Sequence, residues 1–204
     1  MNRSSLAVFI LIVFTALVSV QAMAQVEFGL GPVLGLNFGT LSISPSPQIS
    51  TGGRTGFMIG AQAELGFSKM FYIVLEPTYA GKGGSVGTTT LAVNELDFPA
   101  FFKVKFMKGI IRPYAFAGPD LCFVLSSNAT TGGQNTDISS QTSSVDFDLD
   151  FGGGAEYNVT PKIGITMDIR YSIGLSNLNN VSGSTTTIKA SGFQILAGMM
   201  FHIM

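Results

Sequence analysis

The chain has 204 residues with 11 basic and 12 acidic side chains, a formal net charge of −1, and a single cysteine. This balance argues against nucleic-acid binding and against attraction to anionic membranes, and Cys122 alone cannot form an internal disulfide. Charged residues make up only 11% of the chain, where a soluble domain carries roughly 25%.

The N-terminus runs from Asn2 and Arg3 through an apolar stretch, Leu6 to Val20, to Ala22-Met23-Ala24 before Gln25. This is the pattern of a secretory signal peptide cut after Ala24, so residues 1–24 are expected to be removed and 25–204 to form one domain. The apolar stretch is shorter than the ~20 residues a spanning helix needs, and no downstream run is long enough either. A low-charge exported chain without such a helix points to a β-barrel, because only helices and closed barrels satisfy every backbone polar group in lipid.

Alternation with a period of two recurs in eight segments, as in strands with one apolar and one polar face. The first sets Phe28, Leu30, Leu34, Leu36 and Phe38 against Glu27, Asn37 and several glycines. The second sets Phe57, Ile59, Ala61, Ala63, Leu65 and Phe67 against Met58, Gln62 and Glu64. The third opposes Phe71, Ile73, Leu75 and Tyr79 to Tyr72, Val74, Glu76 and Thr78. The fourth, Leu96 to Phe106, puts Leu96, Phe98, Phe102, Val104 and Phe106 opposite Asp97, Pro99, Phe101, Lys103 and Lys105. The fifth starts at Pro113 with Tyr114 and Phe116 on its apolar face. A bulge at Gly118-Pro119 is then expected to turn Asp120 inward.

In the sixth, Phe147, Leu149, Phe151, Ala155 and Tyr157 oppose Asp146, Asp148, Asp150 and Glu156. In the seventh, Ile163, Ile165, Met167, Ile169 and Tyr171 oppose Thr166, Asp168, Arg170 and Ser172. The eighth sets Phe193, Ile195, Met199 and Phe201 against Gln194, Met200 and His202. Pro32 and Pro77 are the misfits, since each removes a ladder donor.

Connections alternate in length. Long Ser/Thr/Gly/Asn-rich loops are expected over Thr40–Arg54, Gly83–Thr90, Ser126–Ser144 and Ser176–Ile188, and tight turns at Ser68–Met70, Met107–Arg112 and Val159–Lys162. Outer-membrane barrels have this asymmetry, which places both termini in the periplasm. Apolar-face aromatics fall into two girdles: Phe28, Phe67, Phe71, Phe106, Tyr114, Tyr157 and Phe201 at the periplasmic rim, and Phe38, Phe57, Tyr79, Phe98, Phe147, Tyr171 and Phe193 towards the other. The expected fold is an all-β, eight-stranded antiparallel up-and-down transmembrane barrel. A soluble lipocalin-like binder would instead turn the apolar face inward.

The stretches LDFPAFFKVKF (96–106), RPYAFAGPDLCFVL (112–125), FGGGAEYNV (151–159) and IGITMDIRYSIGLSNL (163–178) resemble the small outer-membrane β-barrel domain of PorT-like proteins, similar in architecture to OmpA/OmpX-type barrels. The resemblance spans essentially the whole mature chain. It implies an eight-stranded barrel in the outer membrane of a Gram-negative bacterium, tied in some members to protein secretion or cell-surface organisation and without assigned activity in most. Asp120 departs from the small residue often found there.

Eight strands enclose an interior just wide enough to be filled by side chains. The inward polar set holds Glu27, Glu64, Glu76, Asp97, Asp146, Asp148, Asp150, Glu156 and Asp168 against Lys82, Lys103, Lys105 and Arg170. Strand direction puts Lys103 and Lys105 near Glu27, Glu64 and Glu156, and Arg170 with Asp148, Asp150 and Asp168. Buried charges must be paired, so the expected role is a salt-bridged lumen network, with the acidic excess absorbed by water, a cation or shared protons. Asp146, Asp148 and Asp150 could offer oxygens to Ca²⁺, but no ligand loop surrounds them, and no metal or cofactor is expected.

His202, the only histidine, has no serine the spacing would set against it, and no catalytic residue is expected. The long loops hold no Phe, Tyr or Trp and only Arg54 among hot-spot residues, so tight protein binding through their tips is not expected. The expected partner is outer-membrane lipid, and the sequence names no protein partner. The expected function is a structural, cell-surface or secretion-accessory barrel; the alternatives are a narrow pore for ions or small solutes and, behind it, a soluble binder or a barrel hydrolase.

Overall fold

A computed structural model describes residues 27–45 and 51–203, so the expected signal peptide lies outside the described residues. The strands are β1 (Glu27–Ser44), β2 (Thr51–Gly66), β3 (Phe71–Leu75), β4 (Thr78–Val86), β5 (Thr89–Lys105), β6 (Ile111–Thr131), β7 (Gln134–Asp137), β8 (Val145–Thr160), β9 (Ile163–Gly174) and β10 (Thr187–His202). Every pairing is antiparallel, and β1 pairs with β10 to close the ring. Eight staves build it, in the order β1, β2, β3 with β4, β5, β6, β8, β9, β10, while β7 adds to the upper part of β6.

Pro77 explains why the third stave is counted as two strands. It cannot donate, so the ladder is interrupted between β3 and β4. The neighbours bridge the gap through Glu76 N–H to the Pro99 carbonyl at 3.2 Å and Ala61 N–H to the Pro77 carbonyl at 3.1 Å.

The alternating side chains divide cleanly. Leu34, Phe57, Ile59, Leu75, Phe102, Leu149, Met167 and Ile169 are exposed on the outer wall, while the polar set turns inward. This is the reverse of a lipocalin-like arrangement. The girdle aromatics lie on the outer wall, and Phe38, Phe193, Tyr171 and Phe151 sit opposite one another on successive strands.

Tyr114 is the exception. Tyr114 and Phe116 are buried inside the barrel, in one cluster with Val74 and Phe101. Asp120 needs no bulge to face inward, because β6 pairs with β8 without a register shift from Ile111↔Tyr157 to Phe123↔Val145. The irregularity in this strand falls further on, where Asn94 pairs with Ser126 and Glu95 with Val124, leaving Leu125 as the extra residue. Arg112 and Asp120 share the parity of Tyr114 and Phe116, so the charges at either end of this stretch mark the aromatic face as the inward one.

At the loop end the staves run past the ~9–11 residues that cross a bilayer. The stretch expected to be a loop at Gly83–Thr90 is hairpin, with β4 and β5 paired up to Val86↔Thr89 around Gly87, whose φ of 59° suits glycine. Likewise β6 and β7 form a hairpin within Ser126–Ser144. Threonine-rich segments read as loops by composition, yet threonine is a good strand former once a neighbour supplies the ladder.

Candidate functional site: the charged lumen

Ten buried acids (Glu64, Glu76, Glu95, Asp97, Asp120, Asp146, Asp148, Asp150, Glu156, Asp168) share the interior with four buried bases (Lys82, Lys103, Lys105, Arg170) among the described residues. They are arranged in levels along the barrel axis. At the turn end, Arg112 of β6 donates to the Tyr72 hydroxyl at 2.5 Å, and Tyr72 donates to Glu27 Oε2 at 2.7 Å. Glu27 is thus held by Tyr72, with Arg112 3.8 Å away, rather than by a lysine.

One level up, the Lys105 ammonium bridges Glu64 of β2 and Glu156 of β8, the latter at 2.6 Å. Those staves face each other across the ring. Lys103 adds a second contact to Glu64 at 3.1 Å, and His202 Nε2 lies 2.7 Å from Glu156 Oε1. Each ammonium also sits over a ring, Lys105 at 4.3 Å from the Tyr72 centroid and Lys103 at 4.4 Å from that of Tyr114.

The middle level belongs to Arg170. Its guanidinium is 2.9 Å from Glu76 and 3.1 Å from Asp168, and packs 5.0 Å from the Phe101 ring and 5.2 Å from Phe116. Tyr114 donates to Asp168 Oδ2 at 3.3 Å. Glycine makes the room: Gly152 pairs with Arg170, and a Cβ there would lie 2.3 Å from the Ile169 carbonyl oxygen.

The upper level gathers around Lys82 of β4. Its ammonium is 2.8 Å from Asp148 Oδ2, 2.9 Å from Glu95 and 3.1 Å from Asp97, and 3.3 Å from the Cys122 sulfur. Ser172 also donates to Asp148 Oδ2, at 3.1 Å, and Ser176 bonds Asp146. The acids crowd one wall: Asp97, Cys122 and Asp146 face one another across β5, β6 and β8, and Asp120 faces Asp148 in the next pair down. Beyond those contacts, one oxygen each of Glu95, Asp97, Asp120, Asp146, Asp148 and Asp150 has no partner among the described residues. Above them an apolar layer of Leu41, Leu178 and Ala190, with Val86, Leu91, Val124 and Ile188 packed on it, covers the loop end.

The structure turns the residues of the expected network inward, with Glu27 at the partly exposed rim, and regroups some of them. Arg170 pairs with Glu76 and Asp168, while Asp148 belongs to Lys82. Glu95, Cys122 and Arg112 join the network as well. Glu95 shares the parity of Asp97 two residues on, and extending that alternation upstream of Leu96 would have found it.

The model of the outer membrane protein beta-barrel domain family matches residues 10–201. The chain belongs to this family. Its outer wall, apolar and exposed over the whole ring, is accordingly the lipid-facing surface of an outer-membrane barrel. Solved barrels share the fold. Neisserial surface protein A is 16% identical with a TM-score of 0.54, covering 85% of this chain and 96% of its own. The outer membrane protein OprG from Pseudomonas aeruginosa is 10% identical with a TM-score of 0.58, covering 89% and 97%. No curated protein matches the chain. At these identities the family and its neighbours define architecture, and a role must be argued from the lumen and the surfaces of this barrel.

Proposed function

We propose that this chain is a non-enzymatic outer-membrane barrel whose lumen is closed by its own ion pairs, and that it serves a structural, cell-surface or secretion-accessory role of the PorT-like kind. The observation that carries this reading is that cation-centred contacts cross the ring between non-adjacent staves at level after level: Arg112 to Tyr72, Lys105 between Glu64 and Glu156, Arg170 to Glu76, and Lys82 to Asp148. A conducting lumen would need a continuous water path between those contacts. His202 is tied into the network through Glu156.

The barrel sits with its termini in the periplasm after removal of residues 1–24, and its long strand extensions project outside. The alternation of short turns and long connections supports this orientation. Two measurements test the reading, the first on variants with one added cysteine, since the native Cys122 is buried. Ser184→Cys, at the loop end, is expected to react with an impermeant maleimide on intact cells, and Lys69→Cys, at the turn end, only after the outer membrane is opened. Liposomes carrying the protein are expected to exclude small sugars and ions. Swelling in those solutes would favour a narrow pore, and the reverse labelling pattern would invert the barrel.

A further inference from the structure

We propose that the upper lumen holds a binding site for a thiophilic divalent cation of the Zn²⁺ class, formed by Asp120, Cys122 and Asp148. Donor atoms of these three buried residues lie within 4.8 Å of one another. A second trio, Glu95, Asp97 and Cys122, meets the same distance condition. The two share Cys122 and differ in how the Lys82 ammonium serves them. It already lies 2.9 Å from Glu95 and 3.1 Å from Asp97, so that trio has its cation. On the other side it takes Asp148 Oδ2 and lies 3.3 Å from the Cys122 sulfur, but it makes no contact with Asp120 and leaves both Asp148 Oδ1 and Asp120 Oδ1 without a partner.

Asp120 and Asp148 are 2% and 1% exposed, and they stand directly opposite each other on β6 and β8. Like charges so placed repel, and a buried carboxylate oxygen without a partner carries its full desolvation cost. At that exposure neither carboxyl reaches bulk water. At this level one ammonium stands among six carboxyls, those of Glu95, Asp97, Asp120, Asp146, Asp148 and Asp150. A divalent ion between Asp120 and Asp148 neutralises Asp120, which has no cation in contact, and takes up the Asp148 oxygen that Lys82 leaves free. Cys122, two residues from Asp120 on the same inward face, adds a sulfur that a hard cation such as Ca²⁺ would not select and Zn²⁺ would. Binding takes the thiolate, so the Cys122 proton is released to solvent and affinity rises with pH.

The site stands whether or not the lumen conducts, and its test is separate. The chain is refolded into detergent with Co²⁺ and freed of unbound metal. One Co²⁺ per barrel with a thiolate-to-cobalt charge-transfer band, displaced by Zn²⁺, is expected. Cys122→Ser is expected to abolish the band. Asp120→Asn is expected to weaken binding by more than the about 10–100-fold typical of residues that only orient a metal's ligands. Asp97→Asn is expected to leave binding nearly unchanged. Altered migration of boiled against unboiled samples shows that each variant has folded. A folded wild-type barrel without the band, a band that survives Cys122→Ser, or greater sensitivity to Asp97→Asn than to Asp120→Asn would overturn the assignment.

Discussion

Arg170 on β9 reaches Glu76 on the stave diametrically opposite, with 2.9 Å between guanidinium and carboxylate, and the contact is sandwiched beside Phe101 and Phe116. A buried pair of this kind holds two walls together only while both partners are present. Arg170→Ala strands Glu76 and Asp168 together, and removing one partner of a buried pair costs about 3–5 kcal/mol. The expected result is a loss of that order in urea unfolding followed by gel migration, which suits a chain without tryptophan.

The lysines differ in how replaceable they are. Lys103 and Lys105 share Glu64, so Lys103→Met leaves that acid neutralised by Lys105. Lys82 alone serves Glu95, Asp97 and Asp148. Lys82→Met is therefore expected to destabilise the barrel by several times as much as Lys103→Met, measured in the same unfolding assay.

At the turn end, Tyr72→Phe removes the hydroxyl that links Arg112 to Glu27 while keeping the ring under Lys105. Hydrogen bonds to charged groups contribute roughly 1.5–3 kcal/mol each, and this site is partly hydrated, so a loss of about 2 kcal/mol is expected.

Much of this was legible in alternation alone, because a period of two with one charge-free face specifies both strand and wall. In β6 the alternation from Arg112 to Asp120 marks the inward face, but the rings between them disguise it. Tyr114 and Phe116 look like lipid-facing residues, but they are the floor on which Lys103 and Arg170 rest. An aromatic ring suits either lipid or a cation, and the choice depends on what the neighbouring staves present at that height. The pairing of Lys82 with Asp148 was hidden for the same reason: register across three staves decides it, and no single strand encodes register with a distant one.

The outer wall offers a direct check on the direction of the apolar face. Ile169 is exposed on that wall, in the row with Ile195 and Leu36. Ile169→Arg is expected to cost about 2–4 kcal/mol in a bilayer, as lipid-facing arginines near the midplane do. On a water-facing wall the same change would be nearly neutral.

Outside the membrane, Asp137 accepts hydrogen bonds from the Ser139 hydroxyl and its backbone N–H, which hold its carboxyl below the usual carboxylate range. A lowered folded pKa means the contact stabilises the β6–β7 hairpin once pH is above the unfolded value, and is lost as pH falls below about 4. Carboxyl NMR of Asp137 is expected to show the low titration point, and Ser139→Ala to raise it.

The central claim is that ion pairs crossing the ring close the lumen, and single-channel recording in planar bilayers tests it most directly. The wild type is expected to insert without current steps, while a variant carrying Lys105→Ala and Arg170→Ala, checked for barrel migration, opens small ones. Stable steps from the wild type, unchanged in that variant, would contradict the account.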